Sequence, residues 1–432
     1  MVSLAFPPKQ DAEVLQTVKL HKYLSALPNT EVHVITGTES GSIRALLKPE
    51  ISVDDIATRF DLFSNRYINY LWLRLFPALA SRPDIKAAAI HRSELICKAL
   101  PWRPDVVVSR SYPISSSLLG KSIAKRLGVP WVMQLSDPWS ISPLHPSGYD
   151  IEWNKKQEIA AIAEASLITF TSERTLKRYQ DLYPAAARRM RYYPNTFDPD
   201  QAMPNPWNKG PEFSIVYAGT LGGSRRPDVL CEAVERLFER APNARDQLRL
   251  IFAGHADRAT RRYLTQKRAY VRWLGPLSFP DSMKLIRSAD MLVLVDNFVS
   301  PGIDAGPYEF FPSKLLDYMV AQRPILAITS TGSIAREIIG RHKLGSSYGH
   351  NECYAVSEEI EKAWREWQNG SSSFFQVDGQ TEMYDARRGA ERLRLELEEV
   401  VQLSMEANGP STAQPSICEI ESTVSGTEGQ PS

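Results

Sequence analysis

The residues whose types and spacing best suit chemistry lie between positions 307 and 329, in the run PYEFFPSKLLDYMVAQRPILAIT. Glu309 and Asp317 stand either side of seven residues, one of which is Lys314. A carboxylate accepts hydrogen bonds from sugar hydroxyls, an ammonium attracts phosphate, and the free amides at a helix start favour an anion. Glu309 falls in a loop, where it would hold a sugar. Asp317 falls about one turn into the next helix, where it would take a ribose diol. Phe310, Phe311, Pro312, Ser313 and Lys314 line the passage between them. Taken singly, the two acids are also an ordinary loop acid and an ordinary solvated helix acid.

The elements that must position these groups can be read locally. Met291–Val295 (MLVLV) reads as a buried strand, and 296–306 as a polar loop. Pro312 and Ser313 open a helix, where proline suits the first turn and the serine oxygen can cap free amides. Pro324 ends it, and Ile325–Ile328 reads as the next strand. Ligands in open α/β sheets bind beyond the carboxyl ends of the strands, which is where this loop lies.

A second candidate is the run GTLGGSRR at 219–226, which follows the strand FSIVYAG and precedes a helix over 227–240. Gly219 lets backbone approach a ligand, and Thr220, Arg225 and Arg226 add polar and positive groups for a diphosphate. Arg226 is favoured over Arg225 because it abuts the helix start. Gly254 ends the strand run LRLIFAG; the neighbouring His255 reads as a solvated loop residue. The serial strand–helix rhythm starts earlier, with a strand at 2–6, an amphipathic helix at 11–27 and a strand at 31–36. Further strands are read at 105–109, 130–135, 166–171 and 191–195, with Ser172 as a helix cap. Asp137, in the run SDPW after the strand at 130–135, either orients an acceptor hydroxyl or caps a helix; Trp139 follows it.

Several of these stretches resemble the retaining glycosyltransferases of the GT-B fold, in the family-four-like group that builds bacterial surface polysaccharide and lipopolysaccharide. The carriers are the E-x7-E signature, here E-x7-D, the run FPSKLLDYMVAQRPILA, and the opening FPP…VLQTVKLHKYLSALPNTEVHVITG. Asp317 departs from the usual glutamate by one methylene. Lys9 begins the run KQDA where many relatives carry a glycine pair, and it would offer a charge instead. The resemblance implies an α/β protein of two Rossmann-like domains facing a cleft, with a C-terminal helix crossing back. It implies sugar transfer, with retention, from a nucleotide-diphosphate sugar such as a UDP or GDP sugar to a lipid-linked or growing glycan. On that reading Glu309 holds the donor sugar, while Arg226, Lys314 and the amides near Ser313 carry the charge of the leaving diphosphate. Leu274, Gly275 and Leu277 would line the base, and Lys9, Asp137 and Trp139 would meet the acceptor. No metal and no cofactor is expected, and the leaving phosphate would take the acceptor proton. A GT-B-type nucleotide-sugar 2-epimerase and a catalytically degenerate scaffold of a polysaccharide assembly complex are the alternatives.

The domain plan read from composition is a first domain at 1–198, a Pro- and Asn-rich linker at 199–212, a donor domain at 213–380 and a returning helix at 381–404. Residues 405–432, poor in large apolar side chains, read as disordered. The chain of 432 residues has a net charge of +1, which argues against a nucleic-acid binder. Its four cysteines form no CxxC pair and read as free thiols of a reducing compartment. No apolar run reaches about 18 residues and no signal peptide is read, so a cytoplasmic protein is expected. The aromatic and basic stretch 62–79 suits either peripheral contact with the inner face of the plasma membrane or a core helix.

Overall fold

The computed structural model describes residues 1–7, 12–38, 51–62, 71, 74–77, 81–142, 145, 148–202, 205–223, 225–266, 268–296, 311–377, 379 and 381–407. The first half contains β1 (Val34–Thr38), β2 (Ile51–Val53), β3 (Ala57–Asp61), β4 (Val107–Arg110), β5 (Trp131–Leu135), β6 (Leu167–Phe170) and β7 (Met190–Tyr192). They fall into two runs, β1-β3-β2 and β4-β5-β6-β7. The expected strand at 2–6 is reduced to one residue, and that residue joins the runs. Val2 bridges Ile35 on one side and Ser109 on the other, both parallel. The β2–β3 pair is an antiparallel edge that the sequence reading did not anticipate. Helices α1 (Ala12–Ser25), α2 (Ser115–Leu127), α3 (Ile151–Glu164) and α4 (Glu173–Leu182) flank the sheet. Ser172 caps α4, accepting from the Thr175 amide at 3.2 Å.

The second half holds one parallel six-stranded sheet in the order β10-β9-β8-β11-β12-β13. Its strands are β8 (Phe213–Ala218), β9 (Leu248–Ala253), β10 (Val271–Gly275), β11 (Met291–Val295), β12 (Ile325–Ile328) and β13 (Gly345–Tyr348). β8, β11 and β12 are adjacent and almost wholly apolar, as parallel strands covered on both faces must be. Helices α5 (Asp228–Arg240), α6 (Phe279–Ser288), α7 (Lys314–Ala321), α8 (Ile334–Arg341) and α9 (Cys353–Asn369) supply those covers. Leu230, Val234, Ile360 and Trp364 lie on one face, and Leu316, Met319, Ile338 and Ile286 on the other.

The two halves meet in two ways. The chain crosses between them twice, and the crossings pair. The Phe197 amide donates to the Tyr384 carbonyl at 2.8 Å, and the Ala386 amide donates to the Phe197 carbonyl at 3.1 Å. Helix α10 (Ala386–Ala407) then lies on the first half, where Ala390, Leu393 and Leu397 pack with Leu20, Leu24 and Tyr193. Directly across the halves, Arg341 on α8 takes both carboxylate oxygens of Glu173 on α4 at 3.1 Å. Arg174 answers with Glu337 at 3.4 Å. No described helix is long and apolar enough to cross a membrane. A disordered tail is expected over 405–432; residues 405–407 instead continue α10, and 408–432 lie outside the described residues.

Candidate functional site

The carboxyl ends of β8, β9 and β10 form a flat edge made of glycine. The Gly219 amide donates to the Ala253 carbonyl and the Gly254 amide to the Gly275 carbonyl, each at 2.8 Å, so the ladder runs on past the strands. Gly254 has φ +127°, and a Cβ there would run into the Gly219 carbonyl. Gly219 has φ +146°, and a Cβ there would stand 2.5 Å from the Lys314 Nζ. Only glycine meets both demands, the backbone angle and the close approach. Leu274 and Leu277 are exposed beside this edge, at 48% and 37%.

Lys314 is the side chain that faces the glycine edge. It opens α7 and reaches back across the sheet to β8, where its ammonium donates to the Tyr217 hydroxyl at 2.6 Å. The ammonium also sits 4.1 Å from the centre of the Tyr217 ring. Burial and the nearby Arg225 bring the lysine down to about 7, while Asp296 and Asp317 oppose that fall. The Tyr217 hydroxyl in turn donates to the Thr220 carbonyl at 2.7 Å. Asp317 lies one turn along α7, half-buried, and burial pushes its carboxyl up to about 6 against the pull of Lys19 and Lys314.

The start of α7 differs from expectation in one respect. Ser313 makes no side-chain cap, because it already has helical angles, φ −55° and ψ −31°. A capping serine needs extended angles to turn its oxygen onto the later amides. The Leu315 and Leu316 amides instead bond the Pro312 and Ser313 carbonyls at 2.9 and 3.1 Å. Phe311 is 9% exposed and packs on Tyr384, with ring centres 5.8 Å apart, so its ring belongs to the core. Glu309, Phe310 and Lys9 lie outside the described residues.

The loop 219–226 is a tight hairpin, with the Gly222 and Arg225 backbones bonded both ways at 2.9 and 3.1 Å. The Gly223 amide donates to Asp257 at 2.9 Å. The hairpin reverses the expected order of its arginines. Arg226 points outward, 61% exposed, and pairs with Asp228 on its own helix. Arg225 is the one whose charge reaches Lys314 and Tyr217.

The first half presents a polar cluster at the carboxyl ends of β4 and β5. Arg110, 2% exposed, donates to Glu13 at 3.0 Å and to Gln134 at 2.7 Å. The Ser136 hydroxyl donates to Glu13 at 2.9 Å. Asp137 stands beside them, half-buried, with no hydrogen bond among the described residues. Burial, and then the charge of Glu13, push it up to about 6. It caps no helix: the next one, α3, is capped by Asp150, which accepts from Trp153 at 3.0 Å. Trp139 requires a correction. Its ring is 1% exposed, and its indole donates to Asn154 at 2.9 Å. A ring with no accessible face packs the core and cannot meet an acceptor.

Sequence reasoning missed Glu13, Lys19, Arg110, Gln134 and Tyr217. Glu13 and Lys19 sit on an amphipathic helix with no motif, and Tyr217 sits in a strand that reads as core. A buried arginine closing an apolar strand was the one available signal for Arg110. A cavity of about 510 Å³ lies at the other ends of the first-half strands, between α1 and α10. Leu20, Leu24, Ile35, Trp102 and Leu397 line it, and none of the candidate residues do. It is apolar and remote from the polar groups just described.

Residues 212–364 match the family model described as glycosyl transferases group 1. Comparison with curated proteins gives no sequence match. Among solved structures, one similar chain is the trehalose-6-phosphate protein from E. coli bound with UDP-2-fluoro glucose. It is 12% identical with a TM-score of 0.59, over 92% of this chain and 98% of that one. A UDP-forming α,α-trehalose-phosphate synthase from Burkholderia xenovorans is 14% identical with a TM-score of 0.57, over 85% and 94%. A trehalose-6-phosphate synthase described in connection with glycosyl transfer with retention is 12% identical with a TM-score of 0.58, over 89% and 96%. The chain thus has the GT-B fold, and residues 212–364 of its second half are similar to glycosyl transferases group 1.

Proposed function

We propose that the chain moves a sugar from a nucleotide-diphosphate donor to a hydroxyl of a polysaccharide or lipid-linked oligosaccharide, with retention at the anomeric carbon. The observation that carries this reading is the Lys314 ammonium held against Gly219, at one end of the glycine edge, with Asp317 one turn further along the same helix. The glycine edge admits a diphosphate to backbone distance, Lys314 and Arg225 neutralise it, and Asp317 takes the ribose hydroxyls. Glu309, seven residues before Asp317, holds the donor sugar. The bond from the anomeric carbon to the β-phosphate oxygen breaks, and its electron pair leaves with the diphosphate. The acceptor oxygen forms the new bond on the same face, and its proton passes to the leaving phosphate oxygen. Cations fixed beforehand stabilise the growing negative charge without reorganising.

UDP is the preferred donor nucleotide, because the structurally similar synthases are described as UDP-forming or UDP-sugar-bound. Asp137 at the facing edge orients the acceptor hydroxyl. A lipid-linked acceptor at the cytoplasmic membrane face is supported by Leu71, Leu75 and Phe76, exposed at 54%, 59% and 47% beside Arg74. The test is a thermal-shift screen of purified protein against nucleotide sugars, followed by transfer assays with Glu309→Ala. A donor that raises the melting temperature and an inactive but folded variant are expected. Indifference to every nucleotide sugar sinks the reading.

A further inference from the structure

Resting on that reading, we propose that Tyr217 is a positioning residue for the donor diphosphate: its hydroxyl aims the Lys314 ammonium at the glycine edge and, in the same stroke, fixes the loop that follows. The geometry is a chain of two hydrogen bonds. Lys314 donates to the Tyr217 oxygen at 2.6 Å, and the Tyr217 hydroxyl donates to the Thr220 carbonyl at 2.7 Å. A phenol oxygen has one proton to give and lone pairs to accept with, so each bond sets the direction of the other. Tyr217 is 1% exposed, which leaves its ring no second position. Without that anchor, the four-carbon stem of Lys314 would be free to swing, and Thr220 would lose what holds its carbonyl.

The charged groups around Lys314 come from every neighbouring element. Arg225 faces it from the hairpin, Asp296 from the end of β11, Asp317 from its own helix, and Lys19 acts on Asp317 from α1. Burial leads, and the lysine is brought down to about 7. Burial also pushes the Tyr217 phenol far above its usual range, so the hydroxyl keeps its proton and remains a donor to Thr220. The free protein therefore loses the Lys314 charge as pH rises through about 7, and with it affinity for a diphosphate.

Tyr217→Phe keeps the buried ring and removes the oxygen. The expected result is about tenfold weaker UDP binding at pH 7, from the loss of one charged hydrogen bond. Acetic anhydride labelling of Lys314 across pH, read by mass spectrometry, should show its midpoint moving to lower pH in the variant. A purely structural role would lower the melting temperature and leave that midpoint in place. In a double-mutant cycle, Tyr217→Phe should add little to Lys314→Met, because both act on one ligand group. Wild-type UDP affinity and an unmoved lysine midpoint in Tyr217→Phe overturn the proposal, as does full additivity with Lys314→Met. A wild-type chain that binds none of UDP, GDP and ADP overturns the donor reading as well, and the labelling profile then reports the Lys314–Tyr217 coupling by itself.

Discussion

The two polar edges of this molecule are built in opposite ways. The second half uses backbone: three glycines at the ends of adjacent strands, with one lysine laid against the first of them. The first half uses side chains: Glu13, Arg110, Gln134 and Ser136 converge from three separate segments around Asp137. A backbone edge is shaped by where a Cβ is absent, so its specificity is geometric. A side-chain cluster is shaped by charge balance, so its specificity depends on pH and on every member being present. Damage to the first should appear in donor binding, and damage to the second in stability and in the acceptor.

The sharpest way to break this contrast is Arg110→Met. Glu13 would keep its contact with Ser136 and lose its buried cation. Breaking a buried pair from one side is strongly destabilising, and a loss of about 3 kcal/mol by urea unfolding is expected. UDP affinity should stay within about twofold, since Arg110 does not touch the glycine edge. A stable variant that cannot bind UDP would reverse the assignment of roles. Next is Gly254→Ala. Its Cβ meets the Gly219 carbonyl at a backbone angle that side chains avoid. A cost of about 2–3 kcal/mol is expected, together with UDP affinity lost beyond measurement by calorimetry.

Asp137→Asn tests the electrostatic side of the comparison. The folded chain holds the Asp137 proton up to about 6, above the ordinary carboxyl value of 3.8. Its contribution is therefore fully present below about pH 4 and is lost as pH rises through about 6. Asparagine cannot ionise, so the variant should match wild type at pH 4 and exceed it by about 1–2 kcal/mol at pH 7.5. An equal difference at both pH values would remove the charge argument. The smallest effect separates the two arginines. Arg225→Ala should weaken UDP binding by about fivefold. Arg226→Ala, exposed and paired with Asp228, should stay within about twofold.

The same contrast explains what could be read in advance. Met291–Val295 and Ile325–Ile328 were legible to the residue, because unbroken apolar runs closed by a loop or by Pro324 leave little choice. The glycine edge was legible because Gly219, Gly254 and Gly275 each close a strand run. The Glu13–Arg110 cluster was not, because it joins residues 97 apart in sequence, and no local pattern records such a meeting. Trp139 misled because an aromatic ring after a strand suits a crevice and a core equally; the choice was made by Asn154 on a later helix. Ser313 misled because composition marks a cap while backbone angles decide it.

The paired crossings at Phe197 and Ala386 have a mechanical corollary. The outgoing and returning strands of chain are stitched to each other at the boundary, and the returning one is anchored along the first half by Ala390, Leu393 and Leu397. A protease that nicked the Pro-rich connector once would therefore not release either half. The clipped molecule should still migrate as one particle under native conditions and separate into fragments only in denaturant.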